Sequence, residues 1–340
     1  MTERKSRLVP EVDFTRDGKQ TGFIRLFHST HASAYGFIPI PIVVVKNSEG
    51  PTALFSAGNH GDEYEGQIAL TNLVKWLTPE KIRGRVIILP MANFPAALAG
   101  RRVSPIDDVN MNRIFPGDAD GTITRQIAHF IDSELVPLAD LVIDLHSGGS
   151  SLMYVPCALA RQSADPAVYA KQLAALRAFG APFTYIQGGA QGQGGDQTLG
   201  SCADRRGITS LGTELGGAGT LTPAGLAIAE RGLRNLLVHM GILDKSSWVE
   251  PPVPTRFLDV RGQDYYIYAP ENGLFEPLVE LGESVVPGQP AARIHMPETP
   301  WLPPVEIAFK AAGLVMCKRI PARSQRGDCL FHLASDLSVG

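Results

Sequence analysis

Short, almost uninterrupted apolar runs recur through the first two thirds of the chain, at Ile38–Val45, Thr52–Ala57, Arg85–Leu89, Leu141–Leu145 and Ile208–Gly212. They are bounded by Gly, Asn or Asp. Apolar runs this short and this continuous fit strands covered on both faces, and such strands belong to parallel sheets. Helical periodicity fills the gaps at Tyr64–Leu77, Thr124–Leu135, Asp165–Phe179 and Pro223–Met240. Strands alternating with helices leave one economical architecture: an α/β fold with a mixed, mostly parallel sheet flanked by helices. With 340 residues, 44% of them hydrophobic, the chain has material for a large core.

The texture changes near WVEPPVP, at Trp248–Pro254. A Pro-rich stretch after a helix marks a domain boundary. The expected division is an α/β domain at 1–247 and a small all-β barrel or sandwich at 248–340. The second part carries a faint repeat, with Gly273-Leu274 then Gly288-Gln289, and Gly313-Leu314 then Gly327-Asp328. The pattern resembles lipoyl and biotinyl carrier domains. Carriers present a modifiable lysine in the turn between their halves, and here that turn reads HMPETPWLPP. Without the lysine, the expectation is a structural module.

The chemistry concentrates at strand ends, where open α/β sheets build their sites. In FSAGNHGDEYEG, His60 and Glu63 stand at i, i+3 just past a strand. In ADLVIDLHSGG, His146 ends the next apolar strand. Two His and one Glu are the protein ligands of a common catalytic zinc site, which keeps a position open for water. In GITSLGTELGG, Glu214 again follows an apolar strand. A hydrolytic site needs a base to take a proton from water and return it to the leaving amine, and Glu214 is the candidate. The loop RRVSPIDDVNMNRIFPG is dense in Arg, Asn and Asp without helix or strand periodicity. An arginine fork there suits a carboxylate or a developing oxyanion. Each residue also has a plain alternative: an exposed helix start for HxxE, a core histidine, a capping glutamate, an ordinary surface loop.

Together GNHGDEYEG, NRIFPG, DLHSGG and TELGG, in that order, resemble the succinylglutamate desuccinylase/aspartoacylase family, a branch of the zinc carboxypeptidase superfamily. The resemblance spans about residues 38–240, and a small C-terminal β domain is typical as well. It implies one zinc ion per chain on His60, Glu63 and His146, with Glu214 as general base. It implies that Asn112 and Arg113 hold the substrate carboxylate, and that an upstream arginine, Arg102 in preference to Arg101, polarises the scissile carbonyl. Where the family often writes DLNR, this chain has NMNR with Asp108 four residues before Asn112. That departure leaves the role of Asp108 open, and Arg101 and Asp108 are carried as substrate-binding candidates.

Within the family, GNHGDEYEGQIAL and SPIDDVNMNRIFPG look most like the ectoine-degradation branch, whose members deacetylate N-alpha-acetyl-L-2,4-diaminobutyrate. The expected activity is therefore hydrolysis of the amide bond of an N-acyl amino acid. The alternatives are a metallocarboxypeptidase, a desuccinylase or aspartoacylase for an acidic N-acyl amino acid, and a non-catalytic binding protein on a hydrolase scaffold. An ammonium side chain calls for an acidic partner, for which Asp107, Asp108 and Asp196 are the candidates. The Gly-rich run at 186–200 is expected to be a mobile lid or substrate loop.

A net charge of −3 with no basic run argues against nucleic acid. No stretch of about 18 apolar residues would span a membrane. The N-terminus lacks an apolar signal core, and Cys157, Cys202, Cys317 and Cys329 form no disulfide or metal pattern. The cytoplasm is the expected location, a small N-acyl amino acid the expected partner, and homo-oligomerisation is left open.

Overall fold

A computed structural model describes residues 5–187 and 195–339. Its backbone is a long mixed sheet whose centre is parallel. Strands Gly84–Leu89, Thr52–Ala57, Leu141–Leu145 and Thr209–Glu214 lie side by side in parallel. Strand Cys157–Arg161 then runs antiparallel to Thr209–Glu214, followed in parallel by Phe183–Gln187 and Arg256–Asp259. On the opposite edge Gly18–Phe27 and Phe37–Asn47 add an antiparallel ribbon.

Strands Thr52–Ala57, Gly84–Leu89 and Leu141–Leu145 are mostly apolar because both faces are covered. Every residue of Thr52–Ala57 is buried. Alternate residues point to opposite sides. Ala53, Phe55 and Ala57 join the core beneath helices Glu65–Trp76, Pro166–Phe179 and Pro223–His239. Leu54, Ile87 and Val142 join a second core with Ile127, Leu199 and Cys202 from helices Ile123–Phe130 and Leu199–Arg205. The expected helix over Thr124–Leu135 stops early, since its α-helical part ends at Phe130 and Ile131–Leu135 is a π turn.

The C-terminal segment forms a second, four-stranded antiparallel sheet. Phe275 and Ile294 from that sheet pack on Val315, Phe331 and Leu333 in a shared core. Those last three residues sit on strands Gly313–Arg319 and Cys329–Asp336, which extend the main sheet beyond Arg256–Asp259. The C-terminal strands are thus continuous with the sheet that carries the chemistry.

Candidate active site

Parallel register brings three strand ends to one edge. Ala57 pairs with Leu145, and Gly212 with Asp144. The loop carrying His60, the end carrying His146 and the end carrying Glu214 therefore emerge together, and Leu215 N donates to His146 O at 3.0 Å. Gly61 permits the tight loop beside His60, because a Cβ there would meet Ala96 O at 1.9 Å.

Glu63 sits between the two imidazoles. His60 Nδ1 lies 2.8 Å from Glu63 Oε1, and His146 Nδ1 lies 2.8 Å from Glu63 Oε2. The outward nitrogens are held separately: His60 Nε2 donates to Asn110 Oδ1 at 3.1 Å, and His146 Nε2 to Asp144 Oδ2 at 2.8 Å. Asn59 Nδ2 donates to the same Asp144 oxygen at 2.9 Å. Outer partners of this kind fix the tautomer of metal-binding histidines. The ligand atoms of His60, Glu63 and His146 lie within 4.8 Å of one another. Two nitrogens and a carboxylate oxygen aimed at one point, with the outer ring nitrogens already held, fit a divalent metal ion.

Burial by itself would raise the Glu63 carboxyl, but the charges of His60 and His146 outweigh it and hold it below the usual carboxylate range. Burial pushes His60 down against the pull of Glu63. For His146 the balance is reversed, as Asp144 and Glu63 overcome burial and raise it well above the ordinary imidazole range. Glu214 is raised well above the usual carboxylate range by burial and then by the charge of Glu63, against the pull of His146, Arg102 and Arg113. Its Oε2 is buried and has no hydrogen-bond partner among the described residues.

A cavity of about 490 Å³ opens on this cluster, and His60, Glu63, Arg102, Asn112, Arg113, His146 and Glu214 all line it. Arg102 Nη1 is 3.6 Å from Glu63 Oε1. Asn112 Oδ1 accepts from Leu199 N at 3.1 Å, so this amide ties the Leu199–Arg205 helix to the site as well as facing the cavity. Arg101 and Asp108 are not brought into the cavity. They face each other at 3.7 Å, and Asp108 is held at φ 51° with its side chain 79% exposed.

The acidic partner expected for an ammonium side chain is not among the three aspartates singled out. Asp107 accepts from Thr124 N and Oγ1 at the start of the Ile123–Phe130 helix. Asp108 is on the surface, and Asp196 is 85% exposed and paired with Arg161. Short polar side chains in such loops satisfy local backbone groups first. Of the Gly-rich run, residues 188–194 lie outside the described residues, so the lid expectation falls largely on them. Other acids in the His60 motif also brace loops: Asp62 accepts from Ser150 N and Oγ, and Glu65 from Ser147 Oγ and Thr222 N.

Two groups of site residues escaped the sequence. Asp144 had a signal, because it stands two positions before His146 and so on the same side of the strand. The cavity wall built by Tyr154, Tyr185, Tyr266 and His332 had none. The last two come from the segment expected to be a structural module.

A mixed α/β sheet here gathers two histidines and two glutamates at adjoining strand ends, and His60, Glu63 and His146 among them could hold a metal ion. The chain belongs to the succinylglutamate desuccinylase/aspartoacylase family: the model of that family's catalytic domain matches residues 49–240. It thus joins a class of hydrolytic deacylases. An N-alpha-acetyl-L-2,4-diaminobutyric acid deacetylase from Halomonas elongata is 42% identical over 98% of this chain and 96% of its own length. A succinylglutamate desuccinylase/aspartoacylase from Rhodobacter sphaeroides superposes with a TM-score of 0.92 at 42% identity, covering 98% of this chain and 100% of that one. The product-bound ectoine utilization protein EutE (DoeB) from Ruegeria pomeroyi gives 0.93 at 39% identity, over 98% and 100%. No helix among the described residues is long and apolar enough to cross a membrane.

Proposed function

We propose that this protein is a zinc-dependent deacylase that removes the acetyl group of N-alpha-acetyl-L-2,4-diaminobutyrate during ectoine degradation in the cytoplasm. The observation that carries the hydrolytic part is the meeting of the His60–Glu63–His146 cluster with the Glu214 carboxyl, whose buried Oε2 has no partner among the described residues, at one cavity. The relative from Halomonas elongata supports the choice of substrate. The working division is a catalytic part at 1–247 and a β part at 248–340 that completes the cavity wall.

His60, Glu63 and His146 would hold the zinc ion, which supplies Lewis acidity to polarise an amide carbonyl and acidify water. Asp144 and Asn110 keep both rings turned so that Nδ1 faces inward. Glu214 takes the proton from water and passes it to the departing amine. Arg102, on the cavity wall beside Glu63, is placed to steady the negative charge that grows on the carbonyl oxygen. Arg113 pairs with the α-carboxylate, with Asn112 beside it.

The test is turnover of N-alpha-acetyl-2,4-diaminobutyrate beside N-acetylaspartate and N-succinylglutamate at equal concentration. The diaminobutyrate derivative is expected to be cleaved fastest. A preference for either acidic substrate rejects the substrate while leaving a hydrolase.

The carboxylate clamp has its own check. Arg113→Lys keeps the charge and loses the planar fork. Its kcat/KM is expected to fall by about tenfold or more, in line with about 1.5–3 kcal/mol for a charge-assisted hydrogen bond. Native enzyme that cleaves C-terminally amidated substrate as well as the free acid would show that Arg113 grips no carboxylate.

A further inference from the structure

The cavity continues past Glu214 into a compartment that the hydrolytic machinery does not use. Its wall is a row of side chains side by side across the sheet. Cys317 pairs with Tyr154 on one side and His332 on the other, and Tyr266 pairs with His332 in turn. Tyr266 stacks on the His332 ring, with centroids 4.6 Å apart and 6° between planes. Tyr185 meets the same ring edge-on at 5.7 Å, and Tyr154 at 6.3 Å.

His332 is only 3% exposed, yet neither ring nitrogen has a hydrogen-bond partner among the described residues. Buried polar atoms are nearly always paired, so two orphans on one ring that lines a cavity need an explanation. Burial lowers this imidazole to about 4, so at neutral pH it is uncharged and offers a lone pair. The phenols of Tyr154 and Tyr185 are raised well above their ordinary range by burial, and that of Tyr266 to about 12, so the rings are uncharged too.

We propose that Tyr154, Tyr185, Tyr266 and His332 form the pocket for a cationic substrate side chain, an alkylammonium two carbons from the α-carbon. This rests on the diaminobutyrate reading above and explains how the site can select an ammonium when none of Asp107, Asp108 and Asp196 lines the cavity. Ring faces attract a cation, and a neutral imidazole accepts one of its three N–H bonds. The same surface repels a carboxylate, which would meet π faces and a lone pair. The four rings thus disfavour an acidic N-acyl amino acid while carrying no charge of their own; Arg161, Asp204 and Asp328 line the same cavity outside this row.

The experiment compares kcat/KM for N-alpha-acetyl-2,4-diaminobutyrate and for N-acetylnorvaline, which replaces the ammonium with a methyl group of similar size. The native protein is expected to favour the charged substrate by about tenfold or more. Tyr266→Leu removes a ring face, and His332→Phe keeps the ring and removes the lone pairs. In each the preference is expected to shrink several-fold, chiefly through KM, whereas Tyr266→Phe keeps it. Free 2,4-diaminobutyrate should also inhibit the unaltered protein more strongly than norvaline does, a measurement that needs no variant to fold. Equal inhibition, or a preference that survives both substitutions, overturns the pocket alone. Faster cleavage of N-acetylaspartate than of either neutral or cationic substrate overturns the pocket and the diaminobutyrate reading together.

Discussion

Glu214→Gln is expected to lower kcat by roughly 10²-fold or more while zinc content and melting temperature stay close to native. Glutamine fills the same volume, so packing around the end of strand Thr209–Glu214 does not change. It cannot take a proton from water, and every turnover needs one taken and later delivered to the amine. The fold has little reason to suffer. A carboxylate with a buried, unpartnered oxygen is costly to hold as an anion, and the carboxyl is already pushed upward by burial and by Glu63. Replacing it by a neutral amide removes that cost. Under the proposed mechanism such a residue is retained at some expense to stability because the chemistry needs it. Steady-state kinetics and metal analysis on the same preparation check the assignment. Turnover within a few-fold of native would mean that another group handles the proton.

The parts of the molecule that the sequence reveals are those whose neighbours are enforced by burial. Thr52–Ala57 and Leu141–Leu145 occupy the residues expected from their apolar runs, because both faces of each are covered and the runs are almost wholly apolar, with Ser56 and Asp144 as buried polar positions inside them. Gly18–Phe27 has a mixed burial pattern and gave no continuous run to follow. At the site, His60, Glu63, His146 and Glu214 share a place relative to their strands, so parallel pairing alone brings them together. Arg101 and Arg102 are adjacent in sequence, and only the path of the loop puts one on the cavity and the other on the surface. Tyr154, Tyr185, Tyr266 and His332 come from distant parts of the chain, and their meeting depends on lateral strand order. Strand order across a sheet is set by crossover connections and long-range packing, which local periodicity does not encode. The faint C-terminal repeat correctly indicated small β units. It could not indicate that one edge of them continues the main sheet to finish the cavity.

His146→Ala is expected to abolish both turnover and stabilisation by zinc. Without a cation the cluster buries Glu63 and Asp144 around two imidazoles, and buried carboxylates are tolerated only when paired. A divalent ion held by His60, Glu63 and His146 would relieve that burden only in the folded chain. Binding confined to the folded state adds about 2.7 kcal/mol at a zinc concentration one hundred times Kd. For a chain of this size that is a rise of several degrees in melting temperature. Removing His146 takes away one ligand and leaves Asp144 without the ring it holds at 2.8 Å, so most of the rise should vanish. Lewis-acid assistance is worth several kcal/mol. At about 1.4 kcal/mol per tenfold, its loss lowers turnover by about 10³-fold. Chelation of the native protein should produce the same loss, reversed by added zinc, whereas His146→Ala should not be rescued. Calorimetry with and without zinc reads the metal directly, independent of any substrate. An equal zinc-induced rise in the native protein and in His146→Ala would place the ion elsewhere, and full turnover of chelated protein would remove zinc from the reaction.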